Sequence, residues 1–128
     1  MSFFPGKEVV VESVSPQEKW AVVFEDDGDT GYLYALDLKA QEEGRNPIQE
    51  ALHIYDVAGV TDIDIESVAS IIWSADGAKA CLLINQYPHA VVNFLGQRGY
   101  CRTNFPRPLK WKEHDFKWDD SVLEYFKQ

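Results

Sequence analysis

Three aspartates lie close together in a short polar stretch, DDGDTG, that separates two apolar segments. They are Asp26, Asp27 and Asp29. Carboxylates crowded at one turn repel each other, and either a hard cation or the basic groups of a partner would relieve that repulsion. The spacing does not match a calcium loop, which requires Gly at the sixth position and Glu at the twelfth. We therefore interpret the stretch as a solvated turn or as a contact surface for basic groups.

Aromatic, imidazole and guanidinium side chains form a second set of candidates: Tyr32, Tyr34, His89 and Arg102. Ligand pockets combine apolar walls with a few convergent polar groups, and these residue types could supply both. His89 follows Pro88 where a strand is expected to begin, which could hold the imidazole at the rim of a sheet. A histidine that only satisfies a structural hydrogen bond is the simpler explanation.

Metal-binding and catalytic motifs are not found in the sequence. His53, His89 and His114 are far apart and, together with Cys81 and Cys101, form no CxxC or HxxxH pair that would indicate zinc. No Ser, Cys or Lys lies in a nucleophile motif, and no Gly-rich phosphate loop is present. We therefore expect no metal, no cofactor and no catalytic residues, and an enzyme is not the favoured class.

The acidic residues are concentrated in the first half of the chain. The net charge of the 128 residues is −9; residues 1–64 hold 14 acids and 4 bases, whereas residues 65–128 hold 7 acids and 8 bases. The halves either neutralise each other or present two opposed surfaces, of which the acidic one would bind a basic partner. The excess of acids argues against nonspecific binding to nucleic acid or to an anionic membrane.

One late stretch, RGYCRTNFPRPLKWK from Arg98 to Lys112, interleaves basic and aromatic residues. Such a pattern can bind single-stranded nucleic acid through base stacking and phosphate contacts. Two prolines in the stretch and the acidic remainder of the chain weaken that interpretation. Packing of the basic residues against the acidic half of the chain is therefore preferred.

Length and composition indicate one globular domain spanning residues 1–128. The chain is 45% hydrophobic, which is enough for a core, and no run approaches the ~18 apolar residues of a membrane span. The first residues, MSFFPG, lack the basic and apolar regions of a secretory signal. Cys81 and Cys101 fall on expected strands, and we interpret them as buried, reduced thiols of a cytoplasmic protein. A disulfide between neighbouring strands is the alternative.

Alternating apolar and polar residues predict strands in the first half of the chain. The predicted strands are Lys7–Ser13, Trp20–Glu25 and Tyr32–Leu38. The last two form a hairpin that turns at residues 26–31. Residues 47–57 suit either a short helix capped by Asn46-Pro47 or a strand, and we predict a strand from about Ala51 to Val57.

Residues 68–105 hold most of the β-branched and aliphatic residues and predict a four-stranded antiparallel meander. Strands are expected near residues 67–73, 79–85, 90–95 and 100–104, with turns at Ser74–Gly77, Tyr87-Pro88 and Gly96–Gly99. At the first turn, a three-residue loop with a Gly bulge would place Ile72 opposite Ala80. A two-residue Asp-Gly turn would instead place Trp73 opposite Ala80, and we prefer the bulged loop because Ser74 suits it.

The remaining segments are predicted to be short and peripheral. Residues 39–46 are polar and are expected to form an exposed loop, and the prolines of residues 106–108 predict an extended segment. Asp119 or Asp120 is expected to cap a last short helix that runs through Phe126. The predicted fold class is α+β, mainly β, with an antiparallel sheet of about seven strands and a short C-terminal helix. The hairpin and the four-stranded meander make up the sheet.

Three groups of residues resemble a known bacterial family. The first group is Phe24–Tyr32 (FEDDGDTGY) with Tyr34–Asp37 (YALD), the second is Ile84-Asn85 with Pro88–Val91 (PHAV), and the third is Gly99–Pro106 (GYCRTNFP). Over roughly residues 8–108 the chain is similar to domain of unknown function 2251, an uncharacterised family. The resemblance implies a small, stand-alone cytoplasmic bacterial protein. It implies no established activity, so no catalytic residues can be transferred.

Charge, size and the lack of catalytic motifs favour a non-enzymatic protein-binding module with a basic protein as its partner. An immunity- or inhibitor-type protein fits best within that class, since an acidic hairpin on a small domain could occupy a basic active site. The alternative is a small-ligand-binding or enzymatic domain with a pocket near Tyr32, Tyr34, His89 and Arg102. If Asp26, Asp27 and Asp29 are a recognition surface, replacing all three with Asn should leave folding nearly unchanged, because exposed substitutions change stability little.

Overall fold

The computed structural model describes residues 1–103, 111 and 118–126. Within these residues, nine strands form two antiparallel sheets. The larger sheet has the order β1-β6-β7-β8-β9, with β1 (Ser2–Phe3), β6 (Ser67–Trp73), β7 (Lys79–Ile84), β8 (Tyr87–Asn93) and β9 (Arg98–Cys101). The smaller sheet has the order β2-β3-β4-β5, with β2 (Val9–Val14), β3 (Trp20–Asp26), β4 (Thr30–Asp37) and β5 (Ile48–Asp56). The described helices are α1 (Leu38–Glu42) and two 3₁₀ helices, Val57–Gly59 and Asp120–Phe126.

The two sheets pack face to face because each has an apolar side that must leave water. Val22 and Phe24 of β3 and Ala80 and Leu82 of β7 are fully buried and belong to one hydrophobic cluster that takes side chains from both sheets. The mainly β prediction is confirmed. The single sheet of about seven strands is wrong, because the hairpin and the meander lie in different sheets and each covers an apolar face of the other.

Alternation along β4 fixes the direction of two predicted site residues. Leu33 and Ala35 are buried between the sheets, so the intervening Tyr32 and Tyr34 point to the outer side of the smaller sheet and are half-buried. Gly31 also lies on the core side, where an added Cβ would come within 2.6 Å of the Tyr55 ring. A glycine at this position therefore allows the Tyr55 ring to lie against the β4 backbone.

The turn between β6 and β7 has a different register from the preferred prediction. Trp73 lies opposite Ala80, so the bulged loop, which placed Ile72 opposite Ala80, is wrong. The Ser74 N–H donates to the Lys79 carbonyl (2.9 Å), and the Ser74 Oγ accepts from the Lys79 N–H (3.1 Å). The Ser74 side chain thus accepts a hydrogen bond that a backbone carbonyl would otherwise accept. As a result, Ala80 lies opposite Trp73, one residue further along β6 than Ile72.

The turn between β7 and β8 lies earlier than predicted. Ile84 is paired with Tyr87, which leaves Asn85 and Gln86 as a two-residue loop. Both have positive φ, 53° and 66°, as the primed hairpin turns require. The predicted turn at Tyr87-Pro88 is therefore wrong, and both residues belong to β8. Pro88 is tolerated there because it lies at a register irregularity of the β7–β8 ladder.

The polar segment predicted as an exposed loop, residues 39–46, contains most of α1 instead. Its N-cap is Asp37, whose carboxylate accepts from the Lys39 N–H (2.9 Å) and the Ala40 N–H (3.3 Å). Ala40 is fully buried, so the helix packs one small apolar side chain against the body of the protein. A single apolar residue gives no helical periodicity, which is why the pattern did not reveal the helix.

Two other predicted elements are confirmed. Residues 48–56 form a strand, β5, rather than the alternative helix, and the strand begins three residues earlier than expected. The expected last helix is a 3₁₀ helix over Asp120–Phe126. The Asp119 carboxylate accepts from the Ser121 N–H (2.8 Å) just before it, and Val122 is buried.

Some predicted features lie partly or wholly outside the described residues. The last strand of the meander, expected at residues 100–104, is seen from Arg98 to Cys101. The extended segment at residues 106–108 and four of the late basic residues lie outside the described part: Arg107, Lys110, Lys112 and Lys117. Among the helices that the structure describes, none is long and apolar enough to cross a membrane.

Asp26 is a buried residue that connects three segments of the chain, and it is not an exposed acid. It is 1% exposed, and its carboxylate accepts hydrogen bonds from the Gly6 N–H (2.8 Å), the Gly28 N–H (2.8 Å) and the Tyr55 hydroxyl (2.6 Å). Burial, followed by this bond to Asp26, raises the pKa of Tyr55, so the phenol remains a donor. The exposure that was assumed for all three hairpin aspartates is therefore wrong for Asp26.

Replacing Asp26 with Asn should destabilise the fold by about 2–3 kcal/mol, because the amide has one acceptor oxygen and turns its NH₂ group toward other donors. Asp29→Asn is the matched control on the same loop. Its side chain is exposed, so the free energy of unfolding should change by no more than about 0.5 kcal/mol. Urea denaturation measures both variants, and equal stabilities would contradict the structural role of Asp26.

Candidate functional site

The four residues predicted to line one pocket lie in two separate groups. Tyr32 and Tyr34 are on the outer side of the smaller sheet. His89 lies in β8, and Arg102 comes directly after β9 in the larger sheet. The Arg102 N–H donates to the His89 carbonyl (3.1 Å), so the two residues are opposite each other. Alternation along the strands places both side chains on the outer side of this sheet. Because the hydrophobic core lies between the sheets, the two groups are on opposite faces of the molecule and do not form a shared pocket.

Arg102 holds the last helix against the larger sheet. Its guanidinium lies between the rings of Tyr87 and Trp118, 4.4 Å and 4.3 Å from their centroids. Its Nε donates to the Pro88 carbonyl, and one Nη lies 3.4 Å from an Asp120 carboxylate oxygen. We call these residues the Arg102 clamp. Because the guanidinium contacts β8 through Tyr87 and Pro88 and the last segment through Trp118 and Asp120, it joins that segment to the larger sheet, and the clamp has a structural role.

The Arg102 clamp covers a small second hydrophobic cluster. Cys81 and Val91 of the larger sheet are fully buried there, and Val122 of the last helix packs on them. Burial raises the pKa of the Cys81 thiol to about 12, which favours the unreactive thiol. Burial, and then the charge of Arg102, lower the pKa of His89 and favour its neutral form. The group therefore resembles a sealed packing contact more than a catalytic site.

Both predicted thiols are buried and free. Cys81 lies on the outer side of the larger sheet, whereas Cys101 belongs to the core between the sheets. The Cys101 Sγ lies 3.4 Å from the His53 carbonyl oxygen and 3.1 Å from the Thr103 hydroxyl. Their predicted burial is confirmed, and their positions on opposite sides of one sheet leave no route to a disulfide between them.

The outer side of the smaller sheet carries a stack of rings. Tyr32 and Tyr34 are stacked with centroids 5.8 Å apart, and Tyr32 stacks on His53 at 4.7 Å. The His53 Nε2 lies 2.8 Å from an Asp56 carboxylate oxygen, which fixes the end of the stack. We call this side of β2–β5 the acidic face; its outward residues include Val10, Glu12, Val14, Val23, Glu25, Tyr32, Tyr34 and His53.

Charge is divided between the two sheets. The strands of the smaller sheet hold six acids and no Lys or Arg, whereas those of the larger sheet hold Lys79 and Arg98 and no acids. Glu12 and Glu25 stand on the acidic face among valines and tyrosines. Burial, and then the charge of Glu25, raise the pKa of Tyr34. The acidic face therefore combines negative charge with aromatic and β-branched surface.

The hairpin tip extends this charge with two of its three aspartates. The Asp27 carboxylate accepts from the Asp29 N–H and the Thr30 N–H, both at 2.9 Å, and these backbone bonds lower the pKa of Asp27. Asp27 and Asp29 are exposed, whereas Asp26 points into the molecule. The predicted acidic tip is therefore reduced to two carboxylates, one of which also shapes the loop.

Two shallow clefts of about 430 Å³ each lie away from the predicted pocket residues. One is lined by Val14, Glu18, Leu38, Gln41 and Glu42. The other is lined by Tyr55, Asp56, Ala58, Gly59, Val60 and Thr103. Among the described residues, no three His, Cys, Asp or Glu side chains converge to hold a metal ion. The first cleft sets two carboxylates, Glu18 and Glu42, beside the apolar Val14 and Leu38, whereas the second holds one carboxylate, Asp56.

Sequence reasoning missed the two glutamates of the acidic face and the aromatic partners of Arg102. Glu12 alternates with Val9 and Val11 in VVVES, so its outward direction was accessible from the pattern. The aromatic partners of Arg102 could not be inferred from the pattern, because Tyr87 and Trp118 are 15 and 16 residues away along the chain.

Comparison with known proteins finds relatives without a described activity. Residues 3–127 match the family described as "Uncharacterized protein conserved in bacteria (DUF2251)". An uncharacterised protein of Haemophilus influenzae is 43% identical over 91 residues, which is 71% of this chain and 55% of that protein. The chain thus spans about half the length of this curated relative. No solved structure matches the chain.

Replacing Arg102 with Lys should raise the labelling rate of Cys81 in the native protein by about tenfold. An ammonium cannot stack a flat face on two rings, so the last helix should detach more often and expose the thiol. Labelling by a thiol reagent, followed by mass spectrometry, measures the rate, and Cys101 in the main core is the internal reference. Arg98→Lys is the matched control on an exposed strand end. An unchanged Cys81 rate in Arg102→Lys would contradict the clamp.

Proposed function

This chain belongs to the bacterial family of domain of unknown function 2251, and we propose that it is a non-enzymatic protein-binding module of the cytoplasm whose acidic face docks a basic partner protein. A cytoplasmic location agrees with two free, buried thiols. The observation that carries the proposal is the outward placement of Glu12 and Glu25 on a sheet whose strands hold no Lys or Arg, with the exposed Asp27 and Asp29 at the adjoining hairpin tip. A surface of one sign steers an oppositely charged protein toward it.

The aromatic stack supports binding as well as steering. Tyr32 and Tyr34 present half-buried rings beside Glu25, so a Lys or Arg of a partner could contact a ring face and a carboxylate together. Tyr is enriched where interfaces are strongest, because a rigid amphipathic ring loses little entropy on binding. Val10 and Val14, 56% and 41% exposed, add apolar area at the edge of the same face.

Within this class we favour an immunity- or inhibitor-type role. The acidic face is built on strands, so it is rigid and can fill a basic active-site groove without an ordering cost. The exposed Asp27 and Asp29 of the hairpin tip extend beyond the sheet and could enter such a groove. A basic protein encoded beside this gene is the first partner to examine.

The double variant Glu12→Gln/Glu25→Gln should weaken binding to the neighbouring gene's product by about tenfold at low salt, mainly through a slower association rate. Asp62→Asn/Asp64→Asn is the matched control, since it removes the same charge from an exposed loop away from the sheet. Surface plasmon resonance at two salt concentrations measures the association and dissociation rates. The difference in affinity between the parent and the Glu12→Gln/Glu25→Gln variant should decrease as the salt concentration rises.

If the two double variants bind the partner equally well, the acidic face is not the docking surface. A cell-based arm tests the inhibitor role. Cells that express the neighbouring gene's product should grow when the parent or the loop variant is co-expressed, and they should grow poorly with the Glu12→Gln/Glu25→Gln variant. Equal growth with all three proteins would contradict a role for the acidic face in inhibition.

A further inference from the structure

One edge of β2 is unpaired in the part of the chain that the structure describes. β2 is the terminal strand of the smaller sheet, paired with β3 on one side, and no strand in the described part of the chain pairs with its other side. The pairing with β3 runs from Val9 to Val14 without a register shift. A regular six-residue strand with a free edge has the geometry that strand addition requires.

The direction of the β2 backbone groups follows from one hydrogen bond. The Ser15 N–H donates to the Trp20 carbonyl (2.7 Å), which makes Ser15 and Trp20 a hydrogen-bonded pair. Such pairs alternate along an antiparallel ladder, so Ser13, Val11 and Val9 also bond to β3. The backbone N–H and C=O groups that point away from β3, toward the open edge, belong to Val10, Glu12 and Val14.

Of the usual devices that protect an edge strand, β2 has a single outward charge, Glu12. It contains no Lys, no Pro and no bulge, and four of its six residues are valine. Val10 and Val14 are 56% and 41% exposed. Glu12 is the one charged residue of the strand, and it points outward on the acidic face between them.

Charge decides what can pair with this edge. A second copy would bring two acidic faces side by side, each on a chain with a net charge of −9, and like charges across neighbouring strands are destabilising. A basic strand would do the opposite. Every second side chain of an added strand lies on the acidic face, where a Lys or Arg would stand beside Glu12 or reach across Val10 toward Glu25.

We infer that β2 receives an extended, basic segment of the partner protein as a fifth strand of the smaller sheet. This inference rests on the proposed function and adds the mode of docking. The backbone groups of Val10, Glu12 and Val14 bond to the incoming strand. The alternate basic side chains of that strand lie on the acidic face, whose carboxylates give the charge preference.

Two synthetic peptides of about ten residues test the mode, one of alternating Lys and Thr and one of alternating Lys and Pro. They carry equal charge, but prolines prevent the second from forming a strand. Amide hydrogen exchange, followed by NMR, should show that the Lys-Thr peptide slows exchange at Val10, Glu12 and Val14 by about tenfold or more. The Lys-Pro peptide should leave these amides unchanged, and the amides of Val11 and Ser13 should be slow in all states.

Val10→Pro tests the same edge from the protein side. The Val10 N–H points away from β3, so proline should remove one donor from the open edge and leave the β2–β3 ladder intact. We expect affinity for the Lys-Thr peptide to fall about fivefold to tenfold, as for the loss of a backbone hydrogen bond with some strain. Val10→Thr keeps the N–H and should bind like the parent. Should the proline variant fail to fold, the exchange experiment on the parent still decides.

The outcomes separate the inference from the proposed function. Equal binding of the two peptides without new amide protection would overturn strand addition. If the Glu12→Gln/Glu25→Gln variant then binds both peptides more weakly than the parent, the acidic face is still supported as the docking surface. If that variant binds both peptides as tightly as the parent, the acidic face itself is excluded. Protection of the three outward amides that is lost in Val10→Pro and kept in Val10→Thr would support the inference.

Discussion

The buried carboxylate of Asp26 is the interaction on which the placement of the surrounding chain depends. Removing a carboxylate from water costs several kcal/mol unless hydrogen bonds replace the solvent. Its donors are Gly6, Gly28 and Tyr55, which come from three separate segments. Gly6 and Gly28 both have positive φ, and a Cβ on Gly6 would come within 3.0 Å of Val57. The crossing from β1 to β2, the β3–β4 loop and the end of β5 are therefore positioned together.

This constraint has a consequence for the surface. A cluster of three exposed aspartates would be a flexible point of high charge, whereas the inward turn of Asp26 leaves Asp27 and Asp29 on a loop whose shape is fixed by backbone hydrogen bonds. The acidic face and the hairpin tip thereby form one rigid surface of the same sign. On the opposite side of the molecule, Arg102 bonds within the chain and seals the last helix. Among the described residues the two outer faces thus differ: the last helix packs on the outer side of the larger sheet, whereas the outer side of the smaller sheet carries the acidic face.

The strand pattern could be predicted from the sequence because a period of two residues is a local property. The same period of two predicts that Asp26 is buried, because residue 26 lies on the same side of β3 as the buried Phe24. This prediction was not made because Asp26 was assigned to the aspartate-rich turn. The sequence allowed two β6–β7 registers, and the one with Trp73 opposite Ala80 was the less favoured because the choice depends on a side-chain bond of Ser74. To predict that Tyr32 and Arg102 lie on different sheets, one has to know the strand order. The strand order depends on long-range packing and cannot be inferred from the spacing of residues along the chain.

An open, valine-rich edge strand is normally a risk of self-association, and soluble proteins place a charge or a proline on it. Here Glu12 stands alone in β2, so its own repulsion of a second Glu12 would be modest. The neighbouring Glu25 and the exposed Asp27 and Asp29 add to it, and so does the net charge of −9. Repulsion of this kind acts on every acidic strand and on no basic one. An arrangement that disfavours pairing between two copies would leave the same edge available to a strand of opposite charge, and it would need no change in the backbone to do so.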